Sequence, residues 1–276
     1  MSTRLIALDL DGTLLDSRKR LPERNKKALE ECIARGILIV PCTGRIAKGI
    51  PEAVRNIPGV RYAVTVNGGM LLDLQEDRVL DEKLLPMDIA AEIYDLLAGY
   101  HVMCDAYIQG QGFSERYCFE HMDEYDVPPV VQELVYQTRI PVDNIKEYIR
   151  ERYAAVDKLN LFFNDPQERA EVRRLLEERG DVVVSSSFPY NLEINGPGAE
   201  KGEGLLRLAR ILGIKPEETM AFGDGENDFS MIDKAGIGIV MENGVDKLKK
   251  IADYIAPDNN DAGVGQMLEK LLLSHS

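Results

Sequence analysis

The stretch Arg4-Leu5-Ile6-Ala7-Leu8-Asp9-Leu10-Asp11-Gly12-Thr13-Leu14-Leu15 decides the fold. Its short apolar run reads as a buried strand that ends in two carboxylates and a glycine turn. Open α/β sheets place their ligands at the carboxyl ends of the strands, so Asp9 and Asp11 stand where chemistry is expected. Two hard oxygen ligands leaving a strand end toward one crevice suit Mg²⁺ better than zinc or copper. A polar surface turn is the bland alternative. The apolar strand before the pair and the glycine after it weigh against that.

Working outward, Ala28, Leu29, Cys32 and Ile33 recur at helical spacing between Pro22 and Arg35, with Gly36 as the stop. Strand Ile37-Leu38-Ile39-Val40 follows, then a helix through Val54 and a third strand, Tyr62 to Val66. This alternation predicts parallel strands joined by right-handed crossovers. It returns late in the chain, where a helix from Gly202 to Leu212 leads into strands at Met220-Ala221-Phe222, Ile237 to Val240 and Tyr254 to Ala256. The intervening stretch has another character, with aromatics, Pro128-Pro129 and the strand-like run Leu159 to Phe163. The expected fold class is α/β. A Rossmann-like parallel-sheet core is formed by residues 1–83 and 192–276, and an α/β domain, 84–191, is inserted into it. No internal repeat is visible.

Composition narrows the function classes. Lys and Arg total 33 against 47 Asp and Glu in 276 residues, a formal net charge of -14 that repels polyanions. The basic clusters Arg18 to Arg20 and Lys247 to Lys250 are short and read as solvated surface, so no nucleic-acid partner is expected. The apolar segment after Met1-Ser2-Thr3-Arg4 is too short for a leader, and no apolar run approaches the roughly 20 residues that span a bilayer. Cys32, Cys42, Cys104 and Cys118 lie far apart and form no CxxC pair. Free thiols in a reducing cytoplasm are the expectation.

Three further segments carry candidate chemistry. Cys42-Thr43-Gly44-Arg45 ends the second strand, where a hydroxyl and amides ahead of a helix would receive phosphate oxygens; an ordinary N-cap and turn is the competing reading. Gly223-Asp224-Gly225-Glu226-Asn227-Asp228 gathers three acids and an amide in a glycine-opened loop. That crowding is costly unless cations collect there, although Asn227-Asp228 as a cap for the next helix is the simpler account. Lys201 opens a helix and can supply a mobile point charge, or is an exposed lysine.

Together and in this order, DLDGTLL at 9–15, TGR at 43–45, Lys201 and GDGENDFSMI at 223–232 resemble the haloacid dehalogenase-like superfamily. The closest likeness is to its Cof-type phosphatases with a large α/β cap of the C2 (IIB) type. Ala252 to Ala256 and Asp261-Ala262-Gly263-Val264 look like that family's closing strand and loop. Asn67-Gly68-Gly69 stands where the family usually shows Asn-Gly-Ala, and the segment before Lys201 departs from the usual Gly-Val-Ser-Lys.

The resemblance implies an Mg²⁺-dependent phosphatase acting through an aspartyl-phosphate. Asp9 is then nucleophile and metal ligand. Asp11 is acid and later base, its backbone carbonyl on the metal. Asp224 is a metal ligand, and Asp228 holds Lys201 or the metal's waters. The amides of Leu10 and Gly44, with Thr43, Lys201 and Asn227, receive phosphoryl oxygens, while Arg45 and Asn67 are candidate substrate contacts. The expected partner is a small phosphorylated metabolite such as a sugar phosphate or a phosphorylated cofactor, handled by a monomer or small homo-oligomer. A phosphosugar mutase, a non-catalytic phosphate-binding module and a receiver-type domain are alternatives; the acid-rich insert and the presence of both Asp9 and Asp11 weigh against them. Insert loops around Tyr107 to Ser114 and Ser185 to Asn191 are further candidate contacts, with Phe113, Phe188 and Tyr190 expected in the insert's own core.

Overall fold

A computed structural model describes residues 3–274. Met1 and Ser2, part of the run read above against a leader, lie outside the described residues. The chain divides into two compact units, one formed by the chain up to Glu82 and from Gly198 onward, the other by Lys83–Pro197.

In the first unit, β1 (Leu5–Leu8) and β2 (Leu38–Pro41) pair in parallel across the helix Glu23–Ala34. β3 (Tyr62–Thr65), β4 (Met70–Asp73) and β5 (Arg78–Glu82) form a separate antiparallel sheet. The sequence pattern placed the third strand in the parallel array. Instead a single bridge, Cys42 with Val64, ties it to the main sheet, because the chain reverses at Val66–Gly68 and zips β3 onto β4. The segment expected as a helix through Val54 holds only one turn, Glu52–Arg55.

The second unit contains β6 (Leu85–Pro86), β7 (Val102–Ile108), β8 (Gln111–Glu115), β9 (Arg139–Val142), β10 (Ala155–Val156), β11 (Lys158–Phe163), β12 (Val183–Ser185) and β13 (Asn191–Asn195). Six of them form a sheet in the order β12-β13-β11-β7-β8-β9, antiparallel except for β8 and β9. β13 hydrogen-bonds to β11 and β12, which is why this unit extends to Pro197 beyond the sequence boundary at 191. Alternate residues, Leu159, Leu161, Ala106 and Ile194 among them, point into one apolar core. Phe113 belongs to it. Phe188 does not: it is exposed and stacks on Tyr190, their centroids 5.4 Å apart.

Returning to the first unit, β14 (Thr219–Gly223), β15 (Ile237–Met241) and β16 (Tyr254–Ala256) complete a parallel five-stranded sheet ordered β16-β15-β14-β1-β2. Both faces are covered. Ile6 and Leu8 pack toward the layer containing Leu29, Val264 and Leu268, while Leu5 and Ala7 pack toward Leu205, Leu208 and Met231. A strand buried on both faces must be apolar throughout, which explains the unbroken Leu5 to Leu8 run. The chain leaves β1 toward β2 on one side, and β14 lies on the other. The carboxyl ends of these central strands flank the crevice of a topological switch point. Among the described residues, no helix is long and apolar enough to cross a membrane.

Candidate active site

Asp9 continues the β1 ladder by donating its N–H to Phe222 O at 3.0 Å, and it is almost wholly buried. The chain then turns tightly, with Leu14 N–H on Asp9 O and Leu15 N–H on Leu10 O. Gly12 permits the turn: its φ is +83°, and a β-carbon there would sit 2.4 Å from Asp224 Oδ2. Side chains from distant segments hold the turn's carbonyls, Asn243 on Gly12 O, Asn25 on Leu14 O and Asn259 on Leu15 O. None of these three asparagines stands out in the sequence; a single amide, buried as Asn25 and Asn259 are or exposed as Asn243 is, makes no pattern in a linear reading.

β14 delivers Asp224 beside this turn, where Thr13 Oγ1 donates to Asp224 Oδ1 at 2.6 Å. Asp228 folds back so that its Oδ2 accepts the amides of Asp224 and Gly225, both at 2.9 Å. Its Oδ1 accepts from Lys201 Nζ at 2.6 Å, and the same ammonium donates to Asp9 Oδ1 at 2.6 Å. The helix Lys201–Ile211 begins on that lysine. Two sequence expectations are corrected here. Asp228 makes no side-chain cap for the helix Phe229–Lys234, because both its oxygens are spent elsewhere. Lys201 is neither mobile nor exposed: its side chain is fully buried and held between two carboxylates.

Burial lifts the Asp9 carboxyl well above its usual range; Lys201 opposes the rise, and Asp228, Asp224 and Asp11 add to it. Asp224 is pushed up to about 7, chiefly by burial and next by Asp228, with the Thr13 hydrogen bond pulling the other way. Burial works against the Lys201 ammonium, yet Asp228 and Asp9 outweigh it and hold the proton more firmly than usual. One ammonium thus serves a crowded set of carboxylates.

Asp11 behaves differently. Burial disfavours its charge, but Arg45 and Lys19 reverse the balance and hold the carboxyl below its ordinary range. Arg45 grips it with two hydrogen bonds, Nε to Oδ2 and Nη2 to Oδ1, each 2.7 Å, while Nη1 donates to Gly49 O. Lys19 Nζ donates to Asp11 Oδ1 at 2.6 Å. In this arrangement Arg45, expected as a substrate contact, is spent on Asp11.

Thr43 is buried at the end of β2, its Oγ1 accepting from Arg45 N–H at 3.2 Å. The segment after Gly44 has no helix of useful length, only the three-residue turn Ala47–Gly49 and then the single turn Glu52–Arg55, so the expected helix N-terminus is absent directly after Gly44. Asn67, buried and at φ +54°, accepts from Asn227 Nδ2 at 3.2 Å and donates its N–H to Thr43 O. The structure therefore links Thr43, Asn67 and Asn227 in one chain of contacts, and Leu10 lies in the turn beside Asp9.

The donor set fits a divalent cation. Asp9, Asp224 and Asp228 each offer an oxygen within 4.8 Å of the others, and all are hard ligands. Asp228 is saturated by Lys201 and two amides, whereas Asp9 Oδ2 and Asp224 Oδ2 accept no hydrogen bond among the described residues. Asp9 and Asp224 are the better ligands on that ground, and Asp228 fixes their surroundings.

Comparison with known proteins shows the family to which this chain belongs. The family model of the haloacid dehalogenase-like hydrolases matches residues 6–268. The 5-amino-6-(5-phospho-D-ribitylamino)uracil phosphatase YcsE of Bacillus subtilis is 28% identical, over 98% of this chain and 96% of its own. Pyridoxal phosphate phosphatase YbhA of Escherichia coli is 26% identical, over 99% and 100%. A solved haloacid dehalogenase-like hydrolase from B. subtilis superposes with a TM-score of 0.85 at 26% identity, covering 98% of this chain and all of that one.

Proposed function

This chain belongs to the haloacid dehalogenase-like hydrolases, and on that premise we propose that it is an Mg²⁺-dependent phosphatase acting through an aspartyl-phosphate on Asp9. The observation that carries the reading is the gathering of buried Asp9 and Asp228 around the ammonium of Lys201, with half-buried Asp224 beside them. A phosphate dianion enters such a place only with added positive charge. Asp9, Asp224 and the backbone carbonyl of Asp11 would hold Mg²⁺, which when bound supplies that charge.

Asp9 attacks phosphorus; the new bond to its carboxylate oxygen forms as the bond to the leaving oxygen breaks, and the departing electron pair takes a proton that Asp11 must first acquire, since Arg45 and Lys19 favour its ionised form in the free protein. In the second step Asp11 takes a proton from water, whose oxygen bonds to phosphorus while the Asp9 bond breaks and its electron pair returns to the carboxylate. The proton gained in the second step replaces the one given in the first. Thr43, Lys201, Asn227 and the amides of Leu10 and Gly44 receive the phosphoryl oxygens. Asp228 positions Lys201 and the Asp224 loop.

The substrate class is small phosphorylated metabolites, sugar phosphates or phosphorylated cofactors, in keeping with the activities for which YcsE and YbhA are named. Selection among them is assigned to the inserted domain, with Asn67 as the contact from the core, since Arg45 is engaged by Asp11 and Gly49. A cytoplasmic location fits the four unpaired cysteines, and a monomer or small homo-oligomer is the proposed state. The test is release of inorganic phosphate over many turnovers from a panel of such esters. Release should depend on Mg²⁺ and stop on chelation; chelator-resistant turnover, or a phosphoenzyme that never releases phosphate, overturns the reading.

A further inference from the structure

We propose that Lys19 is a positioning residue for Asp11, holding its carboxylate where water is activated against the aspartyl-phosphate. The inference deepens the proposed reaction and rests on it. Lys19 stands eight residues beyond Asp11, yet its Nζ donates to Asp11 Oδ1 at 2.6 Å, onto the oxygen that Arg45 Nη2 also holds.

The backbone that brings it there is built for the purpose. Lys19 has φ +59°, a left-handed conformation that a β-carbon resists and that persists only where the surroundings over-determine it. Asp16 supplies that constraint. Its carbonyl accepts from Lys19 N–H, its own N–H donates to Arg20 O, and its Oδ1 accepts from the amides of Arg18 and Arg20. Arg20 closes the loop with Nε and Nη2 on Asp16 Oδ2, at 2.9 and 2.7 Å. Ser17 N–H is anchored on Asn260 Oδ1 at 3.0 Å. A loop fixed at both ends, carrying one strained residue, presents that residue's ammonium to Asp11.

The geometry divides the work between two cations. Arg45 reaches both oxygens of Asp11 and sets the plane of the carboxylate. Lys19 adds a second donor to one oxygen and opposes rotation about the plane's axis. The carboxylate edge offered to water is thereby fixed. In the step served, the water oxygen bonds to phosphorus, the Asp9–phosphorus bond breaks with its electron pair returning to Asp9, and the water proton passes to Asp11.

The experiment compares wild type with Lys19→Met and Lys19→Arg, using Mg²⁺ and 2,4-dinitrophenyl phosphate. This ester's leaving group needs no proton, so the first step proceeds without help from Asp11 and the second is exposed. For Lys19→Met the expected result is a fall in kcat of about 10- to 100-fold with a parallel fall in KM. Its kcat/KM should stay within about threefold of wild type, and a pre-steady-state burst of dinitrophenolate should approach one per enzyme. Lys19→Arg should recover most of kcat. A raised KM at unchanged kcat would make Lys19 a substrate-binding group and overturn the proposal, as would an unchanged kcat or an arginine variant no better than methionine. If wild type itself releases no phosphate in an Mg²⁺-dependent way, it is the underlying reading that fails, and the two failures are told apart by the wild-type control.

Discussion

Each unit of this protein buries charge, and the two do it differently. In the inserted unit, Asp105 meets Arg139 at 3.0 Å and Lys158 meets Glu193 at 3.0 Å, all four side chains nearly inaccessible. Ser114 Oγ adds a hydrogen bond to Asp105, and Tyr107 lies under both Arg139 and Lys158. Each of these charges has an opposite one. In the core unit, Asp9 and Asp228 share the single ammonium of Lys201, with Asp224 beside them. Matched pairs offset much of their desolvation cost internally, although burial still lifts the Asp105 carboxyl against Arg139, whereas an excess of one sign stores a demand for a counter-ion. The imbalance marks the place where a cation and an anionic substrate are to be received.

The largest expected effect of breaking this contrast comes from Asp9→Asn. Turnover should fall on the order of 10³-fold or more, as for removal of a nucleophile. The metal-free protein should be no less stable in urea, because burial already disfavours the Asp9 charge and the amide still accepts from Lys201. Appreciable residual turnover removes Asp9 from its role, and a large loss of stability contradicts the imbalance.

Next comes Asp105→Asn in the insert, where the same chemical change strands the Arg139 guanidinium. A loss of about 3–5 kcal/mol is expected, read from the urea midpoint. If it costs no more than Asp9→Asn, the two clusters are not different in kind.

The smallest effect is that of pH on the metal. The raised Asp224 carboxyl, near 7, keeps its proton below that pH in the metal-free protein, while an unfolded chain loses it near the ordinary value of about 4. The ionised form therefore costs stability as pH rises from about 4 to 7. A bound cation must displace the proton, so Mg²⁺ affinity by calorimetry should weaken by roughly tenfold per unit as pH falls below about 7. Affinity that is flat between pH 5.5 and 7 would show that Asp224 binds no metal.

Much of this was legible in the linear chain. An apolar strand ending in Asp9 and Asp11, the Asp224 loop and Lys201 were all marked by residue type and local turn chemistry, and their order carried the family resemblance. What stayed hidden has a common cause. The polar anchors Asn25, Asn243 and Asn259 act on backbone carbonyls remote in sequence, and isolated asparagines leave no period to read. Arg45 was read as a substrate contact because its local motif says only that a cation follows Thr43; which carboxylate it meets depends on how β2 registers against β1. Phe188 was read as core because aromatic character does not reveal on which side of a turn it emerges.

The sequence by itself determined the alternating α/β core, the interruption by an insert and the four charged segments at strand or helix ends, because each is written in the periodicity and turn residues of a few contiguous positions. Tertiary structure alone decided that Lys201 is buried between Asp9 and Asp228, that Asp11 is gripped by Arg45 and Lys19, and that β3 leaves the parallel sheet. These depend on distances between residues far apart in the chain. Charge balance is a sum over neighbours in space, and only the folded chain specifies which neighbours enter it.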